Sequence, residues 1–231
     1  KNVNWSLVEK LRERYKIKDE KVIFFIGRLT WVKGVTNLIK AMPEVLKSFQ
    51  NVKLIILGKG ENYTDLIQLK QSLGIGDKVE IRSEWVSEEE RIAHYALADV
   101  CVFPSISEPF GIVSLEAMSM EKPVVVGAKG VSGLREQIIP SGENRCGVHI
   151  NGEDPSDIAW GIKVVLRNFE EAIEELGKHL RIPQKSVRKK QAIRMIDKYL
   201  LPHLGQEPEN RLTKAMFLAK AIEKMLKLKN Y

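Results

Sequence analysis

Glu108 and Glu116 stand eight positions apart in Ser107-Glu108-Pro109-Phe110-Gly111-Ile112-Val113-Ser114-Leu115-Glu116-Ala117-Met118. Two carboxylates set across a strand-to-helix turn suit the grip on a nucleotide-sugar. The preceding Asp99-Val100-Cys101-Val102-Phe103-Pro104-Ser105 is an apolar run stopped by proline, so Glu108 is expected to end a loop. Glu116 is expected inside a helix whose inward face is Leu115, Met118 and Met120. Gly111 marks the start of that helix, where free backbone N–H groups and the positive dipole end can receive an anion such as a diphosphate. Two glutamates alone would equally read as a charge near a helix start and a solvated helix residue.

A second segment argues against that plainer reading. Phe24-Phe25-Ile26-Gly27-Arg28-Leu29-Thr30-Trp31-Val32-Lys33-Gly34 is an apolar strand, a glycine turn, then two cations around the mouth of the next helix. Arg28 offers a planar fork of donors and Lys33 a mobile point charge, which together suit two phosphates better than either alone. Transfer from a nucleotide-sugar builds negative charge on the leaving diphosphate, and fixed cations stabilise it there.

Together the two segments resemble the donor-binding half of retaining glycosyltransferases of the glycogen and starch synthase type, over roughly residues 22–169. Here, as in that family, a Gly-Arg…Lys-Gly segment precedes a Glu-x7-Glu segment. The resemblance implies catalytic roles for Arg28, Lys33 and Glu108, and a donor site made of Gly27, Arg28, Lys33, Glu108, Phe110, Gly111, Ile112 and Glu116. Glu116 would accept hydrogen bonds from the ribose hydroxyls. Glu108 and the backbone amides of Phe110, Gly111 and Ile112 would hold the sugar and the nearby phosphate. The implied substrate is an ADP- or UDP-hexose, with no metal or other cofactor. The partner acceptor domain is expected to be missing, leaving little activity in this chain alone.

Two carboxylates in a sugar site also raise a glycosidase reading, with one acid and one base or nucleophile flanking the scissile bond. A hydrolase, however, has no need of a cation pair beside its carboxylates. Gly58-Lys59-Gly60 begins like a dinucleotide loop, but Tyr63 stands where the third glycine belongs, so it reads as a backbone surface against the base, with Val86, or equally as a plain strand-end turn. Trp31 and Trp85 are either rim aromatics or ordinary packing.

The elements that must position these residues alternate regularly. Strands are expected at Val22–Gly27, Lys53–Leu57, Lys78–Ile81, Val100–Phe103, Pro123–Val126 and Gly147–Ile150. Helices are expected before Glu20 (Leu7, Leu11 and Tyr15 on one face) and at Gly34–Phe49, Tyr63–Leu73, Glu88–Leu97, Gly111–Met120, Ser132–Ile138 and Pro155–Leu166. That order predicts an α/β fold, a doubly wound Rossmann-like parallel sheet over residues 1–169, with its ligand crevice at the carboxyl ends of the strands. By resemblance it is one half of a two-Rossmann-domain glycosyltransferase. Four loops, those holding Arg28 with Lys33, Lys59, Trp85, and Glu108, should converge on one rim.

Beyond Phe169 only helices are expected, making residues 170–231 an all-α C-terminal segment. It begins with a helix over Glu170–Leu180 and is interrupted at Pro202 and Pro208. This segment holds 14 Lys and Arg against 8 Asp and Glu, so it carries +6 of the net charge of +7. Leu201-Pro202-His203 followed by Arg211-Leu212-Thr213-Lys214-Ala215-Met216-Phe217-Leu218 resembles a helical part of the lobe of the second-largest subunit of archaeal and eukaryotic RNA polymerases. A fusion of two fragments, engineered or natural, is the expectation from that resemblance. Its alternative function is a structural carrier for the polymerase segment. The basic run Arg181–Lys190 reads first as a solvated helix start that needs no partner; weak nucleic-acid contact is the alternative, with no aromatic interleaved.

Among the 231 residues no apolar run approaches the ~20 a membrane helix needs, and there is no leader pattern. The chain opens on Lys1, not methionine, so a fragment is expected. Cys101 and Cys146 lie in apolar strand-like contexts and read as unbonded thiols in a reducing compartment, hence a cytoplasmic location. His94, His149, His179 and His203 show no metal-ligand spacing.

Overall fold

Apolar, mostly β-branched runs build a sheet of six strands in the computed structural model, which describes residues 3–141 and 146–179, with side chains as far as residue 167. The strands are β1 (Lys21–Ile26), β2 (Val52–Leu57), β3 (Val79–Arg82), β4 (Val100–Phe103), β5 (Val124–Gly127) and β6 (Gly147–Ile150). They lie in the order β3-β2-β1-β4-β5-β6, and every pairing is parallel. Each falls within a residue of its expected span at either end. Continuous burial of β2, β4 and β5 shows a sheet covered on both faces, whereas β3 at the edge alternates buried and half-buried positions.

The helices are α1 (Trp5–Arg14), α2 (Val35–Ser48), α3 (Tyr63–Ser72), α4 (Glu88–Leu97), α5 (Ile112–Ser119), α6 (Leu134–Gln137) and α7 (Pro155–His179). The chain runs β1-α2-β2-α3-β3 one way along the sheet and β4-α5-β5-α6-β6 the other, and with the right-handed crossovers general to parallel sheets the two helix sets cover opposite faces. Contacts agree. Tyr95 of α4 bonds Glu116 of α5, and Lys163 of α7 pairs with Glu44 of α2 at 2.6 Å. Serine caps α4, where the Ser87 hydroxyl accepts from the Glu90 amide at 3.1 Å and three glutamates fill the first turn.

Three expectations need correction. The fully buried positions of α5 are Ser114 and Ala117, where the short helix closes on β4 and β5; Met118 and Met120 pack against the core beside them as expected, but Leu115 is exposed. Helix α6 starts at Leu134, not Ser132, since Ser132 forms a parallel bridge with Glu108 and its hydroxyl donates to the Gly127 carbonyl at 2.5 Å. No break occurs near Phe169, because α7 is one helix from Pro155 to His179. The chain divides into units Lys1–Leu166 and Arg167–Tyr231, and the sheet lies wholly in the first. Of the segment resembling a polymerase lobe, roughly residues 170–228, all from residue 180 onward lies outside the described residues. Cys101 and Cys146 are free, and burial pushes the Cys101 thiol up to about 12.

Candidate functional site

Between β1 and β4 the order of strands reverses, and at such a switch point the loops after the two strands diverge and leave a crevice. A cavity of about 340 Å³ opens there. Phe25, Ile26 and Gly27 reach it from β1, Phe103 and Ser105 from β4, Lys33 from the turn before α2, and the run Glu108 to Val113 from the start of α5.

Lys33 is the last residue of a 3-10 turn, Trp31–Lys33, and Gly34 after it adopts φ +70°. A Cβ on Gly34 would lie 2.0 Å from the Pro104 carbonyl oxygen, so only glycine lets this turn settle against the end of β4. The Ile106 amide donates to the Val32 carbonyl at 2.8 Å, tying the turn to the loop that leads to Glu108. Glu108 is held from the other side. Its amide donates to the Val131 carbonyl at 3.0 Å and its carbonyl accepts from the Gly133 amide at 2.8 Å. These ties bring the Lys33 Nζ and Glu108 Oε2 into an ion pair within the cavity, with both side chains largely buried.

Next to the pair, Gly111 caps α5, and the amides of Ile112 and Val113 occupy its first turn, where an α-helix supplies no internal acceptor. Gln137 fixes this corner by donating to the Phe110 carbonyl at 2.6 Å and bonding the Ser114 hydroxyl. Phe110 and Ile112 are both more than half exposed at the mouth.

The other two charged residues of the expected site do not face the cavity. Arg28 is exposed on the loop after Gly27, outside the lining. Glu116 is turned to α4, where Arg91 forms an ion pair with Oε1 and the Tyr95 hydroxyl donates to Oε2 at 2.8 Å. Burial, and after it the Glu116 carboxylate, pushes the Tyr95 phenol far above its ordinary range, so it stays a donor. Gly27, Lys33, Glu108, Phe110, Gly111 and Ile112 are thus brought together, while Arg28 and Glu116 stand apart from them. The rim is partly assembled as expected. The Leu29 amide donates to the Lys59 carbonyl at 2.8 Å, and Lys59 Nζ sits 5.6 Å from the centre of the Trp85 ring, which is 87% exposed.

Sequence reading missed Ser105, Arg91, Tyr95 and Gln137. Only Ser105 left a signal, as the residue just past a buried strand; the others act across helix contacts that no local pattern records.

The model of the family described as "Glycosyl transferases group 1" matches residues 8–181. The chain belongs to this family. Among curated group 1 relatives, an uncharacterized glycosyltransferase of Methanocaldococcus jannaschii is 42% identical over 171 residues, which are 73% of this chain and 42% of that protein. A GDP-mannose-dependent alpha-(1-6)-phosphatidylinositol monomannoside mannosyltransferase of Mycolicibacterium smegmatis is 31% identical over 66% of this chain and 40% of its own length. The chain thus spans well under half of the curated relatives it matches. Among solved structures, the C-terminal domain of the group 1 glycosyl transferase LpcC from Francisella tularensis superposes with TM-score 0.60 at 22% identity, covering 68% of this chain and 81% of that one. HepE of Anabaena, solved in complex with UDP-glucose, superposes with TM-score 0.59 at 21% identity over 96% of this chain and 52% of its own. These likenesses show the Rossmann-like glycosyltransferase fold. Nothing found supports a polymerase segment or a fusion. Among the described residues, no helix is long and apolar enough to cross a membrane.

Proposed function

We propose that this chain is the nucleotide-sugar-binding domain of a retaining, glycogen synthase-like glycosyltransferase, which passes a hexosyl group from an ADP- or UDP-sugar to an acceptor held by a second domain. The observation that carries this reading is the placing of Lys33, Glu108 and the α5 start around one cavity at the switch point of the sheet. Lys33 and the first-turn amides of α5 neutralise the charge that grows on the departing diphosphate. Glu108 accepts from sugar hydroxyls. Arg28, free to swing in from the rim, adds a contact to the phosphate farther from the sugar. Charge neutralisation is assigned to these groups, and no metal is invoked.

Ligand sites run from about 300 to 1,000 Å³. This one, at about 340 Å³, suits the sugar and adjoining phosphate, not a whole nucleotide-sugar. The nucleoside would therefore lie across the open rim towards Lys59 and Trp85, with the Glu116 carboxylate taking the ribose on the lone pairs that Arg91 and Tyr95 leave open.

Calorimetric titration with UDP, ADP and GDP, and with UDP-glucose, ADP-glucose and GDP-mannose, tests the reading. Saturable binding of one base series is expected, weakened when Lys33 is replaced by alanine. Binding of none of the six overturns it.

A further inference from the structure

Lys33 and Glu108 are each other's counterion in the cavity, with side chains only 18% and 12% exposed among the rings of Phe25, Phe103 and Phe110. That arrangement has a consequence for any anionic ligand. A phosphate that takes Lys33 competes with Glu108 for the ammonium, and the carboxylate is then left largely buried, with less of its counterion, beside a second negative charge. Such a charge is strongly unfavourable unless new donors reach it. A bare nucleoside diphosphate carries none at that end. A nucleotide-sugar does, because its hydroxyls extend beyond the phosphate into the space Glu108 faces.

We propose that the Lys33–Glu108 ion pair makes Glu108 a specificity-determining residue, which penalises bare nucleoside diphosphates and admits the same diphosphate when a hydroxyl-bearing sugar is attached. The inference rests on the nucleotide-sugar reading and adds selectivity to it. Discrimination comes from a buried polar group left unpaired by the wrong ligand, the most effective form a binding site has. It also favours product departure, since the spent nucleotide lacks the group that satisfies Glu108. The backbone at Glu108 is fixed by Val131 and Gly133, so the main chain does not carry the carboxylate out of the cavity when a phosphate competes for Lys33.

The test compares the unaltered chain, Glu108→Gln, and Glu44→Gln as a control of equal charge change outside the cavity lining. UDP and UDP-glucose serve as probes, or the ADP or GDP pair if that series binds. Calorimetry on Glu108→Gln is expected to show UDP bound about tenfold more tightly and UDP-glucose about tenfold more weakly, with Glu44→Gln unchanged. UDP affinity that falls or stays constant in Glu108→Gln overturns the proposal, as does equal tightening in Glu44→Gln. A measurement on the unaltered chain stands whether or not the variant folds: UDP-glucose must bind more tightly than UDP, and equal or weaker binding overturns the proposal. If Lys33→Ala weakens UDP binding while Glu108→Gln fails to tighten it, only the selectivity falls. Binding of neither probe series removes the nucleotide-sugar reading with it.

Discussion

Lys33 and Arg28 share a sequence motif yet occupy different environments, and that difference sets what each contributes. Lys33 is largely buried in the cavity wall, where a charge-assisted bond to phosphate is poorly screened. Replacing it with alanine is expected to weaken nucleoside diphosphate binding by roughly 1.5–3 kcal/mol. Arg28 is exposed, so Arg28→Ala should weaken it by less than about 1 kcal/mol, and by less still at high salt. Titrations of both variants at two ionic strengths check the order; a larger loss from Arg28 would contradict the geometry. Glu116 depends on neighbours in α4. Tyr95→Phe removes one of its two donors and is expected to weaken uridine, UMP and UDP-glucose alike by about 1 kcal/mol, a uniform loss that marks a ribose contact.

At the scale of elements, the site depends on how closely the turn before α2 approaches the end of β4. Gly34 shows this most directly, because it combines φ +70° with a prospective Cβ only 2.0 Å from the Pro104 carbonyl oxygen. Gly74 has nearly the same backbone, φ +66°, with nothing within 4 Å of its prospective Cβ. Gly74→Ala is therefore expected to destabilise by about 1 kcal/mol, the left-handed penalty alone, and Gly34→Ala by roughly 2–4 kcal/mol. Urea unfolding with unchanged slope would measure both, and equal shifts in midpoint would show that the contact with Pro104 yields. Strands and most helices at this scale were legible within a residue or two, since fully buried parallel strands are short apolar runs bounded by turn residues. The face of α5 was not. Met118 and Met120 pack against the core as expected, but Leu115 is exposed and the fully buried positions of the helix are Ser114 and Ala117.

For the whole molecule, the attachment of α1 to α4 introduces a pH dependence. His94 of α4 is buried, stacked on Phe24 of β1 at 5.6 Å, and its Nδ1–H donates to the Glu90 carbonyl at 2.7 Å. The Tyr15 hydroxyl of α1 therefore donates to Nε2, at 2.7 Å, while accepting from Arg82 of β3 at 3.0 Å. Burial first, helped by the charges of Arg82 and Arg14 and opposed by the Glu90 carbonyl and carboxylate, holds His94 down to about 4. The native state thus excludes a proton that the unfolded chain binds below about pH 6.5, and its stability falls as pH drops from there towards 4. Glu90, held below the usual carboxylate range, adds a loss of the same sign at lower pH. The His94 share amounts to at most about 3 kcal/mol. Denaturant midpoints measured from pH 7 to pH 4 should fall steeply for the unaltered chain and less steeply for His94→Gln. Parallel slopes would remove His94 as the cause.

Much of this protein was readable before folding: the alternation of strand and helix, the doubly wound sheet, and the two segments that meet at its switch point. Local periodicity and turn chemistry carry that information, and topology rules turn it into a crevice at the strand ends. What only the tertiary structure decided is which charged groups touch. That Lys33 meets Glu108, that Glu116 turns to Arg91 and Tyr95, and that His94 is shared by α1, α4 and β3 all follow from packing between elements distant in the chain. Pairing of side chains is set by ångström-scale approach of backbones, as at Gly34 and Pro104, and spacing along a sequence does not encode that approach.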